Sequence, residues 1–364
     1  MDTIGVGIIG ASPDGWASFS HVPALKALPG YELRAVGTSR RASAEAAAAR
    51  FGVAAAFDHH EALIAHPGVD LVVVASTVTR HHEHAAAALA AGKMVYCEWP
   101  LAPSLADAED LAARAAGLRT VIGLQARYAP AVRHARDLVA GGYVGEVLGT
   151  TLVGSSMSWG GQTDRAHVHL FDAATGLSPL TVSTLHALEA VDHVLGGFAT
   201  VSGNLVTART RTRVADDGTT IPVTVADQVS VTGRLAGGAA VSVFYRGGFS
   251  RGENLRWEIN GTEGDLVLRA DGPNGNLQTR DLVLEGGRGD DDSVHEIAVP
   301  GSYFDPVPRA LEGPAQNVAQ VYAALARDLR EATRTVPGFD HALERHRLVA
   351  HLERQQVSGV PAAR

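Results

Sequence analysis

Three observations predict an α/β chain of two domains, a parallel sheet wound with helices followed by an α/β domain with a large open, mostly antiparallel sheet. Short apolar runs alternate with alanine-rich helical stretches through the first third, the rhythm of parallel strands covered by helices. Beyond residue 125 the pattern turns to period two, which signals strands with one solvent face. A chain of 364 residues also exceeds what one hydrophobic core ordinarily organises. The domains are therefore placed at 1–124 and 125–364.

Strands are expected at 3–10, 32–39, 69–76, 93–98 and 119–125, with helices between them around "HVPALKAL", "ASAEAAAARFG", "HEALIAHP", "HHEHAAAALAAG" and "SLADAEDLAARAAG". Several of these stretches end at Gly, the usual residue past a helix C-terminus. A helix within 126–147 closes on Gly141 and Gly142. "VLGTTLVGSS", "ATVSGNLVTARTRTRV", "VADQVSVTGRL", "AAVSVFYRGG", "LRWEING" and "DLVLRA" then read as strands of one sheet. On composition "EGGRGDDDS" (285–293) is a solvated loop, and "QNVAQVYAALARDLREATR" and "DHALERHRLVAHLERQQ" are closing helices.

Hydrophobic residues make up 46% and charged residues 19%, as in a soluble globular protein. A net charge of −8 offers no long-range attraction to nucleic acid or to an anionic membrane, because such binding needs clustered Lys and Arg. A single cysteine, Cys97, forms no internal disulfide, so a reducing compartment is the simpler expectation. The apolar start "IGVGIIGA" follows Asp2 without a basic flank and is too short for a membrane span. It reads as a strand, and a cytoplasmic location is expected.

"GVGIIG" (5–10) matches G-x-G-x-x-G but lies within the first strand. The fingerprint works where its glycines form the strand-to-helix turn and the backbone approaches a pyrophosphate at a helix N-terminus. That register is "GASPDG", Gly10 to Gly15, with Ser12 at the second glycine's place. Ser12 and Pro13 suit an N-cap and first helical position. The turn and its βαβ setting predict a dinucleotide-binding Rossmann domain; a tight turn without ligand is the alternative. After the second strand come Thr38, Ser39, Arg40 and Arg41 and no acid. Hydroxyl and guanidinium groups there favour the 2′-phosphate of NADP, with NAD possible, unless the arginines only solvate the loop. Trp16, Ser76, Thr77, Glu98 and Gln125 complete the expected cofactor set.

The series "GIIG", "STVTRHHEHAAAALAAGKMVYCEWPL" (76–101), "RYAP" (127–130), "GYVGEV" (142–147), "INGTEGDL" (259–266) and "VPGFDHALERHRLV" (336–349) resembles the Gfo/Idh/MocA oxidoreductases over nearly the whole chain. The resemblance implies hydride transfer between a nicotinamide and a sugar, cyclitol or related alcohol. It also implies an open sheet that makes oligomer contacts, hence a homodimer or homotetramer. Where the family typically has Glu-Lys-Pro, its lysine polarising the reacting oxygen, this chain has Glu98, Trp99 and Pro100. Lys26 and Lys93, the only lysines, lie elsewhere and do not stand in. The family's Asp, His and second acid correspond to Val182, His186 and Glu189. Both departures look like the branch holding the fungal galactose-pathway co-regulator, a dinucleotide-binding sensor. His82 matches a family histidine near the nicotinamide, and Arg127 and Tyr128 match the family's "R-[FY]".

Hydride transfer needs one group to move the hydroxyl proton, and a histidine near neutral pKa fits that role. His186 is the candidate acid/base, with Glu98 and Trp99 beside the reacting centre; Trp99 would be a stacking wall for a nicotinamide or sugar ring, or the mark of a lost activity. Trp99, Arg127, Trp159, Asp172, His186 and Glu189 are the candidate substrate contacts. Trp159 and Asp172, with His167 and His169, belong to the polar and aromatic segment 155–176, which could cover a cleft. No metal is expected, although His81, His82 and His84, and separately His186, Glu189 and His193, invite that reading.

Overall fold

The computed structural model of the protein describes residues 3–355, so Asp2 and the expected end of the last helix at residue 356 lie outside the described residues. The chain divides into two compact units, Met1–Gln125 with Phe304–His346, and Ala126–Tyr303 with Arg347–Arg364.

In the first unit, β1 (Ile4–Ile9), β2 (Tyr31–Gly37), β3 (Ala55–Phe57), β4 (Leu71–Val74), β5 (Met94–Glu98) and β6 (Thr120–Gly123) form one sheet in the order β3-β2-β1-β4-β5-β6. Every pair is parallel. All residues of β1 and β4 are buried, as continuous apolar strands are when helices cover both faces of a sheet. Those helices are α1 (Trp16–Phe19), α2 (His21–Ala27), α3 (Arg41–Phe51), α4 (His60–Ile64), α5 (His81–Ala90) and α6 (Leu105–Arg114). The sequence pattern passes over β3, because three residues rich in alanine carry little strand signal. Ser12 does not cap α1: Gly15 occupies that position, and the Ser12 carbonyl accepts from the Gly15 amide at 3.0 Å.

The second unit begins with α7 (Pro130–Ala140), its Pro in the first turn where a missing amide proton costs nothing. Its strands are β7 (Val147–Ser156), β8 (Gln162–Thr163), β9 (Phe198–Val206), β10 (Arg211–Val214), β11 (Thr220–Pro222), β12 (Gln228–Leu235), β13 (Ala240–Gly247), β14 (Leu255–Gly261), β15 (Gly264–Arg269), β16 (Val283–Arg288) and β17 (His295–Glu296). Eight of these make a sheet in the order β17-β16-β15-β14-β7-β13-β12-β9. Only the β7–β13 pair is parallel.

Two expectations for this unit are corrected. The stretch 199–214 is not one strand, because the buried Asp227 carboxylate accepts from the amides of Ala208 and Arg209 and breaks the run between β9 and β10. The "EGGRGDDDS" segment is not wholly loop, since β16 pairs with β15. A Cβ at Gly286 would lie 2.6 Å from Ile297 and 2.8 Å from the Tyr143 hydroxyl, so this glycine marks close packing.

One turn of π-helix at Leu180–Thr184 leads into α8 (Leu185–Leu195), which buries eight of its residues. Next come α9 (Gly313–Glu331) and α10 (Phe339–Arg354). Although α9 follows the second sheet in sequence, it packs on α2 of the first unit with Val318, Val321, Tyr322 and Leu325 buried. Residues 304–346 therefore group with the parallel sheet, a return that periodicity cannot announce.

Candidate active site

The turn after β1 is built on Gly10, whose φ of +92° suits glycine and whose Cβ would sit 2.4 Å from the Ser76 amide nitrogen. Gly10 thus lets the carboxyl ends of β1 and β4 close on one another. Its amide and that of Ala11 both donate to the Gly37 carbonyl, tying the turn to the end of β2. Donors for a phosphate must then come from Ser12 onward. By contrast Gly5 and Gly7, within the strand, face Gly68 and Leu63; the early G-x-G match serves packing. Asp14 turns outward to pair with Arg50 at 2.9 Å.

Around this turn lie the other expected cofactor residues. Thr38 donates its hydroxyl to the Arg40 carbonyl at 2.9 Å, and Ser39 and Arg40 are exposed. Arg41 is engaged by Glu45 and the Ala56 carbonyl. Ser76 lies 2.9 Å from His84 Nδ1, and Thr77 precedes the short turn Val78–Arg80. The polar atoms of this unit that are buried without a partner among the described residues include Trp16 Nε1 and Gln125 Oε1. Buried polar atoms are ordinarily satisfied, so an orphan donor, an orphan acceptor and the Gly10 cradle fit a bound dinucleotide.

Glu98 ends β5, 8% exposed, with its carboxylate 2.9 Å from His21 Nε2. The other nitrogen of His21 is 2.7 Å from the Tyr322 hydroxyl. Burial pushes the Tyr322 phenol well up, so it keeps its proton and donates to Nδ1. His21 then donates from Nε2 to Glu98, and the chain Tyr322–His21–Glu98 is fully satisfied. A Cβ at Gly123 would meet this carboxylate at 2.7 Å, which explains the glycine on the neighbouring strand.

Trp99 is 6% exposed and packs against His346, ring centroids 4.6 Å apart. The broad stacking wall expected from sequence is corrected, since so buried an indole leaves little surface for a stacked ring. His82 is corrected too. It points to Asp110 of α6 at 2.7 Å, whereas the neighbouring His81 is buried with one ring nitrogen 2.8 Å from the Pro100 carbonyl and the other 3.0 Å from that of Ser76, and the neutral ring donates to one of the two. His81 is the histidine that braces the strand-end segment. Sequence reasoning missed His21, Tyr322 and His346 and saw His81 only in a possible metal run; the available sign was histidine on an apolar helix face, as at His21 in "SHVPAL".

In the second unit, Arg127 donates to the fully buried Glu189 at 2.6 Å and reaches His193 Nδ1 at 3.0 Å. A guanidinium, rather than a metal ion, joins these two residues of α8. His186, one turn earlier, is 3% exposed and its Nδ1 has no partner among the described residues. Burial lowers its pKa to about 3, only partly opposed by Glu189. The near-neutral value expected from sequence is corrected: this imidazole stays neutral and is a weak proton acceptor. His193 is likewise held down at about 3 by burial and by Arg127.

The segment 155–176 is short turns around an apolar cluster of Trp159, Phe171, Val223 and Val225. Trp159 is buried and gives its indole proton to the Leu170 carbonyl, so it is packing rather than a substrate contact. Asp172 caps the turn Ala173–Thr175, accepting from the Ala174 amide. His167 bonds Asp164, and His169 the Ala166 carbonyl.

A parallel sheet of this strand order, with a glycine turn at the end of β1, defines a dinucleotide-binding protein carrying a second α/β unit. Residues 4–125 match the family described as "Oxidoreductase family, NAD-binding Rossmann fold", and residues 130–270 match "Gal80p, C-terminal domain". The first unit's sheet thus carries the Rossmann domain of the Gfo/Idh/MocA oxidoreductases, and the segment after it resembles the Gal80p C-terminal domain.

Among its relatives, Dehydrogenase aclE of Aspergillus oryzae is 38% identical over 54% of this chain; the match spans only 56% of that protein. The galactose/lactose metabolism regulatory protein GAL80 of Saccharomyces cerevisiae is 26% identical over 79% of this chain and 72% of its own length. Levoglucosan dehydrogenase of Pseudarthrobacter phenanthrenivorans is 28% identical over 74% of each chain. The structure of a super-repressor mutant of Gal80p from Saccharomyces cerevisiae superposes with a TM-score of 0.87 at 23% identity, covering 98% of this chain and 96% of that one. No helix among the described residues is long and apolar enough to cross a membrane.

Proposed function

We propose that the protein is a nicotinamide-dependent oxidoreductase passing hydride between NADP, or NAD, and the CH–OH carbon of a sugar, cyclitol or related polyol. The reading includes a cytoplasmic, homodimeric or homotetrameric protein. One observation carries it: Gly10, just past β1, and Glu98, at the end of β5, lie at the carboxyl edge of a β3-β2-β1-β4-β5-β6 parallel sheet with only β4 between their strands, and ligands of open α/β sheets bind at that edge. A relative named for levoglucosan supports the carbohydrate class.

The dinucleotide, when bound, supplies the hydride acceptor or donor. The turn from Gly10 to Gly15 holds its phosphates, Trp16 and Gln125 complete its hydrogen bonds, and Thr38, Ser39 and Arg40 take the 2′-phosphate. Glu98, fixed through His21, holds the strand-end segment in place. His186 takes the hydroxyl proton as a neutral base, with Arg127, Glu189 and Asp172 as further substrate contacts.

A second reading, a regulatory sensor of dinucleotide or sugar, is favoured by Trp99 standing where the family lysine would be. Lys93 is committed to the Val69 carbonyl at 2.6 Å. Purified protein is to be mixed with NADPH or NADP, binding followed by fluorescence and turnover by absorbance over a panel of hexoses, inositols and their keto forms. Turnover that His186→Ala abolishes supports the enzyme. Tight nucleotide binding without turnover on any member supports the sensor.

A further inference from the structure

We propose that His60, Glu83 and His84 form a binding site for a divalent transition-metal ion of the zinc class in the first unit. Each offers one ligand atom, and these atoms lie within 4.8 Å of one another. His60, at the start of α4, and His84, on α5, have ring centroids 4.7 Å apart, and His60 Nε2 is 3.9 Å from Glu83 Oε1. Two imidazoles and one carboxylate are a donor set that zinc accepts with a fourth position left to water. Metal–ligand bonds of about 2.0–2.2 Å require the ligand atoms to draw in by roughly 1 Å, within reach of side-chain torsions.

The second layer of this site is already built. Ser76 Oγ is 2.9 Å from His84 Nδ1; donation from that nitrogen fixes the tautomer and leaves Nε2 with its lone pair, as in histidine metal sites generally. Glu61 lies 3.4 Å from His60 Nδ1 and can do the same there. Within the run "RHHEH" only Glu83 and His84 serve, because His81 lies against the Pro100 and Ser76 carbonyls and His82 turns to Asp110. His60, about twenty residues upstream, takes their place.

Arg80 opposes the ion, since its guanidinium donates to Glu83 Oε1 at 2.8 Å. That contact supplies an independent handle. The full chain, stripped with chelator, is to be titrated with zinc chloride by calorimetry and with cobalt(II) by visible absorption. The expected result is one ion per chain with a tetrahedral cobalt spectrum. His60→Ala and Glu83→Gln should each weaken binding at least about tenfold and Ser76→Ala by about tenfold, while Arg80→Ala tightens it; circular dichroism checks that each variant is folded. Absence of stoichiometric zinc uptake, or uptake that folded His60→Ala and Glu83→Gln leave unchanged, would overturn the site. Because the probe is the metal alone, this outcome is separate from that of nucleotide binding.

Discussion

Glu98 in the first unit and Glu189 in the second are both buried carboxylates, and they are held in different ways. Glu98 at the end of β5 meets a histidine that in turn meets a tyrosine. Glu189 on α8 meets Arg127, a permanent cation. The strand-end carboxylate is held by a relay of hydrogen bonds, whereas the helix carboxylate faces a permanent guanidinium charge.

Acid should test both regions most severely. His84 and His346 in the first unit and His186 and His193 in the second are pushed down by burial to about 4, 4, 3 and 3. A histidine whose folded pKa is depressed takes up its proton on unfolding, so its contribution is complete above the unfolded value near 6.5 and is lost as pH falls toward the folded value. Each such proton steepens the loss by about 1.4 kcal/mol per pH unit. Urea midpoints should therefore fall continuously from pH 6.5 to pH 4; a flat profile across that window would refute the buried-neutral assignment.

Glu189→Ala comes next. It strands the Arg127 guanidinium and should destabilise by about 3–5 kcal/mol, as removal of one partner from a buried pair does. His21→Ala leaves the Glu98 carboxylate and the Tyr322 hydroxyl without their shared partner, at about 1–3 kcal/mol for each stranded group. Chemical denaturation of both variants sharpens the contrast, since equal losses would mean the two carboxylates are held alike. The smallest effect is expected at the surface: Arg40→Ala should weaken NADPH about tenfold, the loss of one charge-assisted contact, and leave NADH nearly unchanged. Equal losses for the two nucleotides would remove the 2′-phosphate reading.

The two regions also differed in how far the sequence disclosed them. Gly10 and the strand-end position of Glu98 follow from local periodicity and turn chemistry. The partners of Glu98 do not, because His21 is 77 residues away and Tyr322 lies on a helix that returns after the whole second sheet. In the second unit the i, i+3 spacing of His186 and Glu189 was readable, but whether Glu189 faced a metal, a substrate or Arg127 depended on a side chain 62 residues distant. Trp159 shows the limit from the other side. An aromatic residue in a polar segment looks like a ligand contact until Phe171, Val223 and Val225 are seen to enclose it.

The most direct test of the central claim is calorimetric titration of the folded protein with NADPH and with NADH, alongside Gly10→Ala. The account predicts one nucleotide per chain, NADPH bound more tightly, and uptake lost in the variant, whose added methyl would meet the Ser76 amide in a backbone conformation that disfavours any side chain. Failure of the wild-type protein to take up either nucleotide would contradict it.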